Sequence, residues 1–279
     1  MPIIIKKNNT NKLITFIIDK LNNKELISLP TETVYGLAGI GTSIISARKI
    51  YKLKNRPLNK KLIFHFSSID MVKKYFYLKD ENLILAETFW PGPLTLILKC
   101  KSKRIPIQLT KDGYCAVRIP MNRFSQKIIN KLKKPIVMPS ANKFKQLSPI
   151  NAKMVFDQFI DTNLIIVDDG KCKVGIESTL IKVKNKKLEI IRPGRITILN
   201  LLKILPFIYI YRNKDQKSFS GTSKKHYSPK KKMYLNQKKV KKETAFINFG
   251  KNKRGEFKNL SKTSSLSEAA KNLYHYIFL

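Results

Sequence analysis

The sequence is poor in the residues on which several classes of function depend. Its three cysteines, Cys100, Cys115 and Cys172, are an odd and widely spaced set that gives neither a disulfide framework nor a metal knuckle. Three histidines with no cluster of His, Cys and Asp leave no zinc site. Acidic residues number 18 against 56 Lys and Arg, a formal charge of +38. Long apolar runs are missing: residues 199–210, among the longest, are broken by Lys203 and Pro206 and are too short to span a bilayer. The first residues lack the apolar core and small-residue cleavage site of a signal peptide, so no membrane association and a reducing cytoplasm are expected. Neither a Gly-x-x-x-x-Gly-Lys-Ser/Thr phosphate loop nor a Gly-x-Gly-x-x-Gly turn is present, and the spacings of Gly36-Leu37-Ala38-Gly39-Ile40-Gly41 fit neither. Ser140 has no Gly-x-Ser-x-Gly elbow around it, which argues against a hydrolase triad.

What is there is the composition of a folded chain, 43% hydrophobic and 10% aromatic, despite the charge. Nine of the 56 basic residues are Arg and 47 are Lys, and Ile and Asn are abundant too; AT-rich codons account for the larger share of this excess. A surface so basic still attracts polyanions in a salt-dependent way, and charge alone does not choose between nucleotides and RNA.

The first 200 residues alternate between helical and strand patterns. Helical spacing covers residues 10–21, 43–54, 80–89, 122–132 and 149–159, with Thr10 as the first cap. Strand patterns cover 26–29, 62–66, 94–98, 115–119, 136–138 and 164–167, and 178–183 with 188–191 reads as a hairpin-like pair. The alternation predicts one α/β domain with a mixed sheet over residues 1–210. Residues 211–232 are polar, Lys-rich and dotted with Ser, Gly and Pro, as in an exposed linker. Residues 233–279 hold a strand pattern at 244–249 and an amphipathic helix at 266–277, and are expected to be a short or truncated C-terminal domain.

Between the apolar strands lie seven polar segments. They are Pro30-Thr31-Glu32-Thr33-Val34-Tyr35-Gly36; Lys52-Leu53-Lys54-Asn55-Arg56-Pro57; Trp90-Pro91-Gly92-Pro93; Arg118-Ile119-Pro120; Pro139-Ser140-Ala141-Asn142; Glu177-Ser178-Thr179; and Arg192-Pro193-Gly194-Arg195. Taken singly, the Lys52–Arg56 charges are a solvated helix end and the Trp90 segment is a rigid turn with an apolar anchor. Arg118, on an otherwise apolar strand, must be paired or face a ligand. Four of the nine arginines (Arg56, Arg118, Arg192, Arg195) fall in these segments of a Lys-dominated chain. That bias marks places where bidentate binding of phosphate or carboxylate cannot be delegated to Lys. The residues by themselves therefore indicate an α/β domain with a cleft for an anionic ligand, nucleotide included.

In order and spacing these segments resemble the YrdC-like family of L-threonylcarbamoyladenylate synthases. The resemblance runs over residues 13–194 and resumes at Ser220-Gly221-Thr222-Ser223-Lys224-Lys225-His226-Tyr227-Ser228-Pro229, similar to the interdomain linker of the longer, two-domain branch. It implies a twisted mixed α/β sheet with helices around a large basic cavity. It also implies a reaction joining L-threonine, bicarbonate or CO2, and ATP into threonylcarbamoyl-AMP and pyrophosphate, with magnesium carried in on ATP. Partner proteins would then pass the threonylcarbamoyl group to tRNAs that read ANN codons, and tRNA itself could meet the basic surface.

Residue by residue, the resemblance implies catalytic roles for Lys54, Arg56, Ser140 and Asn142 around the phosphates. It puts Thr33, His65, Arg118, Met138 and Ser178 on the threonine side, with Arg118 as partner of the carboxylate. Arg56, Lys60, Ser140, Ser148, Arg192 and Tyr227 fall on the ATP side, and Tyr227 would make the linker a lid. Without the family, His65 reads as a satisfied core histidine. The sequence departs from the family pattern at Lys61, where Pro is usual, at Tyr114, where Thr is common, and in the shortness of the region after Lys230. Two other classes fit the charge and the fold: an RNA-binding module without catalysis, and a carbamoyl-transfer module of the kind found in larger hydrogenase-maturation proteins.

Overall fold

The computed structural model describes residues 1–8, 10–211, 229, 232–237 and 243–279. In chain order the elements are β1 (Ile3–Lys6), α1 (Asn11–Asn22), β2 (Ile27–Leu29), β3 (Gly36–Ile40), α2 (Ile44–Lys54), β4 (Ile63–His65) and α3 (Ile69–Tyr75). There follow α4 (Asp80–Phe89), β5 (Leu94–Lys99), β6 (Tyr114–Arg118), α5 (Arg123–Leu132), β7 (Ile136–Val137), α6 (Ala152–Gln158) and β8 (Ile165–Asp168). The last are β9 (Thr179–Lys184), β10 (Lys187–Arg192), α7 (Ile198–Ile204), β11 (Tyr209–Tyr211), β12 (Ile247–Asn248), β13 (Lys258–Asn259) and α8 (Leu266–Phe278).

Among the described residues β1 to β11 form one mixed sheet in the order β1-β8-β2-β3-β7-β4-β6-β5-β9-β10-β11. The small β12–β13 pair stands apart from it, two residues long where the sequence pattern predicts a strand over 244–249.

Strand alternation sorts the side chains onto two faces. On one face Leu62, Phe64, Val117, Leu94 and Leu96 pack with Ile50 and Tyr51 of α2 and Leu85 of α4. On the other, α1 and α5 cover one half of the sheet: Ile14, Ile17, Leu21, Phe124, Ile128 and Ile129 pack on Ile27, Leu29, Ala38, Ile136 and Val167. Beyond α1 and α5 that same face carries a small cluster drawn entirely from strands: Ile63, Ile97, Ala116 and Leu180, with Tyr114 and Ile191 against them. The candidate site lies at the boundary between these two halves.

Local chemistry sets most element ends. Thr10 caps α1 through Leu13 N, and Ser43 caps α2 through Ser46 N. The helix expected from residue 149 starts at Ala152, because Asn151 accepts from Met154 N at 2.9 Å and Pro149 O is taken by Tyr35 N at 2.8 Å. Short β1, α3, α7 and β11 carry too few residues to show a period, and the sequence pattern predicts none of them. The glycine-rich residues 36–41 form no phosphate loop: Gly36–Ile40 is buried strand β3. A Cβ on Gly36 would lie 2.3 Å from Met138 Cγ, so glycine is what lets β3 approach β7. The three cysteines are free thiols, and no described helix is long and apolar enough to cross a membrane.

Candidate active site

Arg118 ends β6 and lies beside His65, the last residue of the parallel neighbour β4. Its guanidinium is nearly fully buried and engaged on three sides. Nε donates to Gly92 O at 3.0 Å, Nη1 to Thr33 Oγ1 at 2.9 Å, and Nη2 is ion-paired with Glu32 Oε1. The other Glu32 oxygen accepts from Met121 N at 3.0 Å. A buried arginine is tolerable only with such pairing. A guanidinium has five N–H donors, so three described partners leave one N–H on each terminal nitrogen for a further acceptor.

The neighbouring segments supply that frame. The turn at Trp90-Pro91-Gly92-Pro93 is anchored by Trp90 Nε1 donating to Leu94 O at 2.7 Å, and it presents the Gly92 carbonyl to Arg118. Thr31 Oγ1 donates to Val34 O at 2.6 Å and accepts from Thr33 N and Val34 N, which makes the 31–34 turn rigid.

His65 is buried, with Nδ1 3.2 Å from Ile63 O. A carbonyl can only accept, so Nδ1 carries the proton and Nε2 is a bare acceptor on a neutral ring. Burial, with the Arg118 charge beside it, lowers the imidazole to about 3. Because the folded-state value lies below the ordinary one, the unfolded chain binds the extra proton between about pH 6.5 and pH 3. Stability from this group is therefore complete above that window and is lost as pH falls through it, with a limiting slope of about 1.4 kcal/mol per pH unit. Urea titrations from pH 7 to 4 are expected to show a shallower loss for His65→Gln than for the parent chain. Parallel losses would place the acid sensitivity in other groups.

Ser178, just before β9, is held by Thr95 Oγ1 at 2.6 Å and by Arg192, whose Nε and Nη2 donate to Ser178 O at 3.1 and 2.9 Å. Thr33, His65, Arg118, Met138, Ser140, Ser178 and Arg192 share with Thr31 and Glu177 one small cavity of about 30 Å³. A wider hollow of about 500 Å³ beside Phe278 of α8 contains none of the residues expected in the site. Its amide Gln158 is already engaged with Lys143 N and Leu147 O.

The other expected site residues turn to the protein itself. Lys54 is fully buried, with Nζ donating to the carbonyls of Ser140 and Asn142. Burial and the Arg56 charge hold its ammonium well below the usual lysine range, with the Glu177 charge opposing them. This amine fastens the loop after β7 in place and is not among the residues that line the small cavity. Arg56 bonds the carbonyls of Lys60 and Lys61 at 2.9 and 3.0 Å, closing the loop between α2 and β4. Lys60 thus meets Arg56 through its backbone. Asn142 Nδ2 donates to Lys143 O and Gln146 O at 2.7 and 3.0 Å, while its buried Oδ1 has no hydrogen-bond partner among the described residues. An amide oxygen accepts and cannot donate, so Oδ1 suits a ligand hydroxyl or amino group and not a bare phosphate oxygen. Ser148 Oγ donates to Glu177. Tyr227, and with it the expected lid, lies outside the described residues.

Two acids in the seven polar segments have no role assigned from the sequence, Glu32 and Glu177. Their signal is scarcity: the chain has 18 acids, and each of these two is the one acid of its segment. No group of described residues has the make-up of a metal site.

Comparison with known proteins fixes the family. The Sua5–YciO–YrdC model, described as telomere recombination, matches residues 19–194. The chain belongs to this family. A second model, for the C-terminal domain of threonylcarbamoyl-AMP synthase, matches residues 189–278. The threonylcarbamoyl-AMP synthase of Pyrococcus abyssi is 32% identical over 212 residues, 74% of this chain and 62% of that protein. That of Bacillus subtilis is 32% identical over 215 residues, 75% of this chain and 62% of that protein. The chain thus spans a little under two thirds of the length of either relative. The crystal structure of P. abyssi Sua5 complexed with L-threonine superposes with a TM-score of 0.83 at 24% identity, covering all of this chain and 88% of that one, a likeness of fold.

Proposed function

We propose that the chain is an L-threonylcarbamoyladenylate synthase, a nucleotidyltransferase of the cytoplasm that uses L-threonine, bicarbonate or CO2, and ATP. The observation that carries this reading is the cavity shared by Arg118, Thr33, His65, Ser178 and Arg192, in a chain of the family whose curated relatives bear that name. Arg118 offers its two remaining N–H groups to the threonine carboxylate. The neutral His65, Thr33, Met138 and Ser178 surround the rest of the amino acid. Arg56, Lys60, Ser140, Asn142, Ser148, Arg192 and Tyr227 serve the nucleotide, which enters as its magnesium complex, while Lys54 supports them from beneath.

The threonine amine takes up CO2 as a carbamate and releases a proton; from bicarbonate, water leaves. A carbamate oxygen then bonds to the α-phosphorus of ATP as the bond to the β-phosphate oxygen breaks, and pyrophosphate departs. The protein need form no covalent link, so positioning and charge neutralisation carry the catalysis. The catalytic domain is assigned to residues 1–210, the linker to 211–232 and the C-terminal region to 233–279. The product is a labile acyl adenylate, suited to transfer proteins that modify tRNAs reading ANN codons.

The test is an omission series on the purified chain. Pyrophosphate release is expected to need all three substrates and to fall to background when L-threonine is left out. Release undiminished without an amino acid would contradict the assignment, and tight RNA binding with no release would favour the non-catalytic module.

A further inference from the structure

Glu177 lines the cavity, yet its carboxylate is engaged from two opposite elements. Ser148 Oγ donates to Oε1, and the Tyr274 hydroxyl donates to Oε2 at 2.7 Å. Tyr274 is the buried residue of α8, 97 positions further along the chain. The Glu177 charge also partly offsets the depression of the buried Lys54 amine, which fastens the Ser140–Asn142 loop. One carboxylate therefore links the C-terminal helix to two of the loops around the cavity.

The docking of α8 is independently built into the backbone. Gly175 has φ +79°, and a Cβ there would lie 2.5 Å from Lys271 Cα and 2.7 Å from Lys271 O, so the helix lies on the 175 peptide at a distance only glycine allows. Beside it Lys171 Nζ donates to Asn272 Oδ1 at 2.9 Å. Two residues after Gly175 comes Glu177, and after it Ser178, which Arg192 and Thr95 hold.

We infer that Tyr274 is a positioning residue: by holding the outer oxygen of Glu177 it fixes Ser148 and the Glu177–Ser178 peptide, and so couples the seating of α8 to the geometry of the substrate cavity. The inference deepens the proposed function and rests on that reading of the cavity. Without the Tyr274 hydroxyl, Oε2 loses a charge-assisted bond in a buried setting, and the carboxylate can turn away from Ser148. A helix that merely covered hydrophobic surface would not act at this distance through one hydroxyl.

Tyr274→Phe removes that oxygen and keeps the ring. In the ligand-free variant, amide hydrogen exchange is expected to quicken at residues 146–148 and 177–179 as well as in α8. In turnover, the KM for ATP is expected to rise roughly 3–10-fold, with kcat changing less than about twofold, as loss of one charge-assisted hydrogen bond would give. Glu177→Gln supplies the second background: with the charge gone, adding Tyr274→Phe is expected to change KM by under about twofold. Faster exchange confined to α8, or the same fold-change in both backgrounds, would overturn the coupling. Exchange is read without ligand, so it tests the coupling even if the parent chain makes no adenylate, a result that would count against the proposed function alone.

Discussion

Arg118→Lys is expected to weaken L-threonine binding roughly tenfold or more while changing ATP binding by less than about threefold. The guanidinium meets Gly92 O, Thr33 Oγ1 and Glu32 together and still has an N–H on each terminal nitrogen. An ammonium is a point donor on a flexible stem and cannot hold that frame and a carboxylate at once. The substitution also leaves Glu32 buried with a poorer partner, so stability falls as well, by about 3 kcal/mol if the pair is broken outright. Calorimetric titration of each substrate into folded protein separates the two effects. Equal losses for threonine and ATP would move Arg118 out of the amino-acid subsite.

Lys54→Met is expected to lower stability by about 2–4 kcal/mol, because the Ser140 and Asn142 carbonyls lose their shared donor. A chain of this size should then melt roughly 5–10 °C lower. Methionine keeps most of the buried stem, so the loss reports the two hydrogen bonds and not a cavity. Activity should fall in step as the 139–142 loop loosens. An unchanged melting temperature with abolished turnover would mean that Nζ serves a phosphate, as the family resemblance alone implies.

These two residues also show how far the sequence carries. Arg118 stands out because a lone arginine on an apolar strand must be paired or face a ligand, although nothing in the sequence names Glu32 as its partner. Lys54 sits at a helix end among other lysines, where nothing local distinguishes a buried amine from a solvated one. Its burial arises from a loop some 86 residues away. The long periodic elements α1, α2 and α5 are legible almost to the residue, since the caps Thr10, Ser43 and Asn122 fix their starts and an apolar stripe marks the buried face, while the Pro91-Gly92-Pro93 turn marks where α4 stops. Strand β3 is not, because its two glycines serve close approach to β7 and α2, a property of the neighbours. The partnership of Glu177 with Tyr274 is hidden for the same reason: it joins residues with no shared local pattern.

On the proposed function, one cavity binds threonine for both carbamoylation and adenylation. This is tested most directly by incubating the chain with L-threonine, ATP and carbon-13-labelled bicarbonate and weighing the product by mass spectrometry. The expected product is threonylcarbamoyl-AMP carrying the labelled carbon in the carbamoyl group, formed with one pyrophosphate, with little or no corresponding adduct from glycine or L-valine. A product without the label, or equal use of those amino acids, would contradict the proposed function.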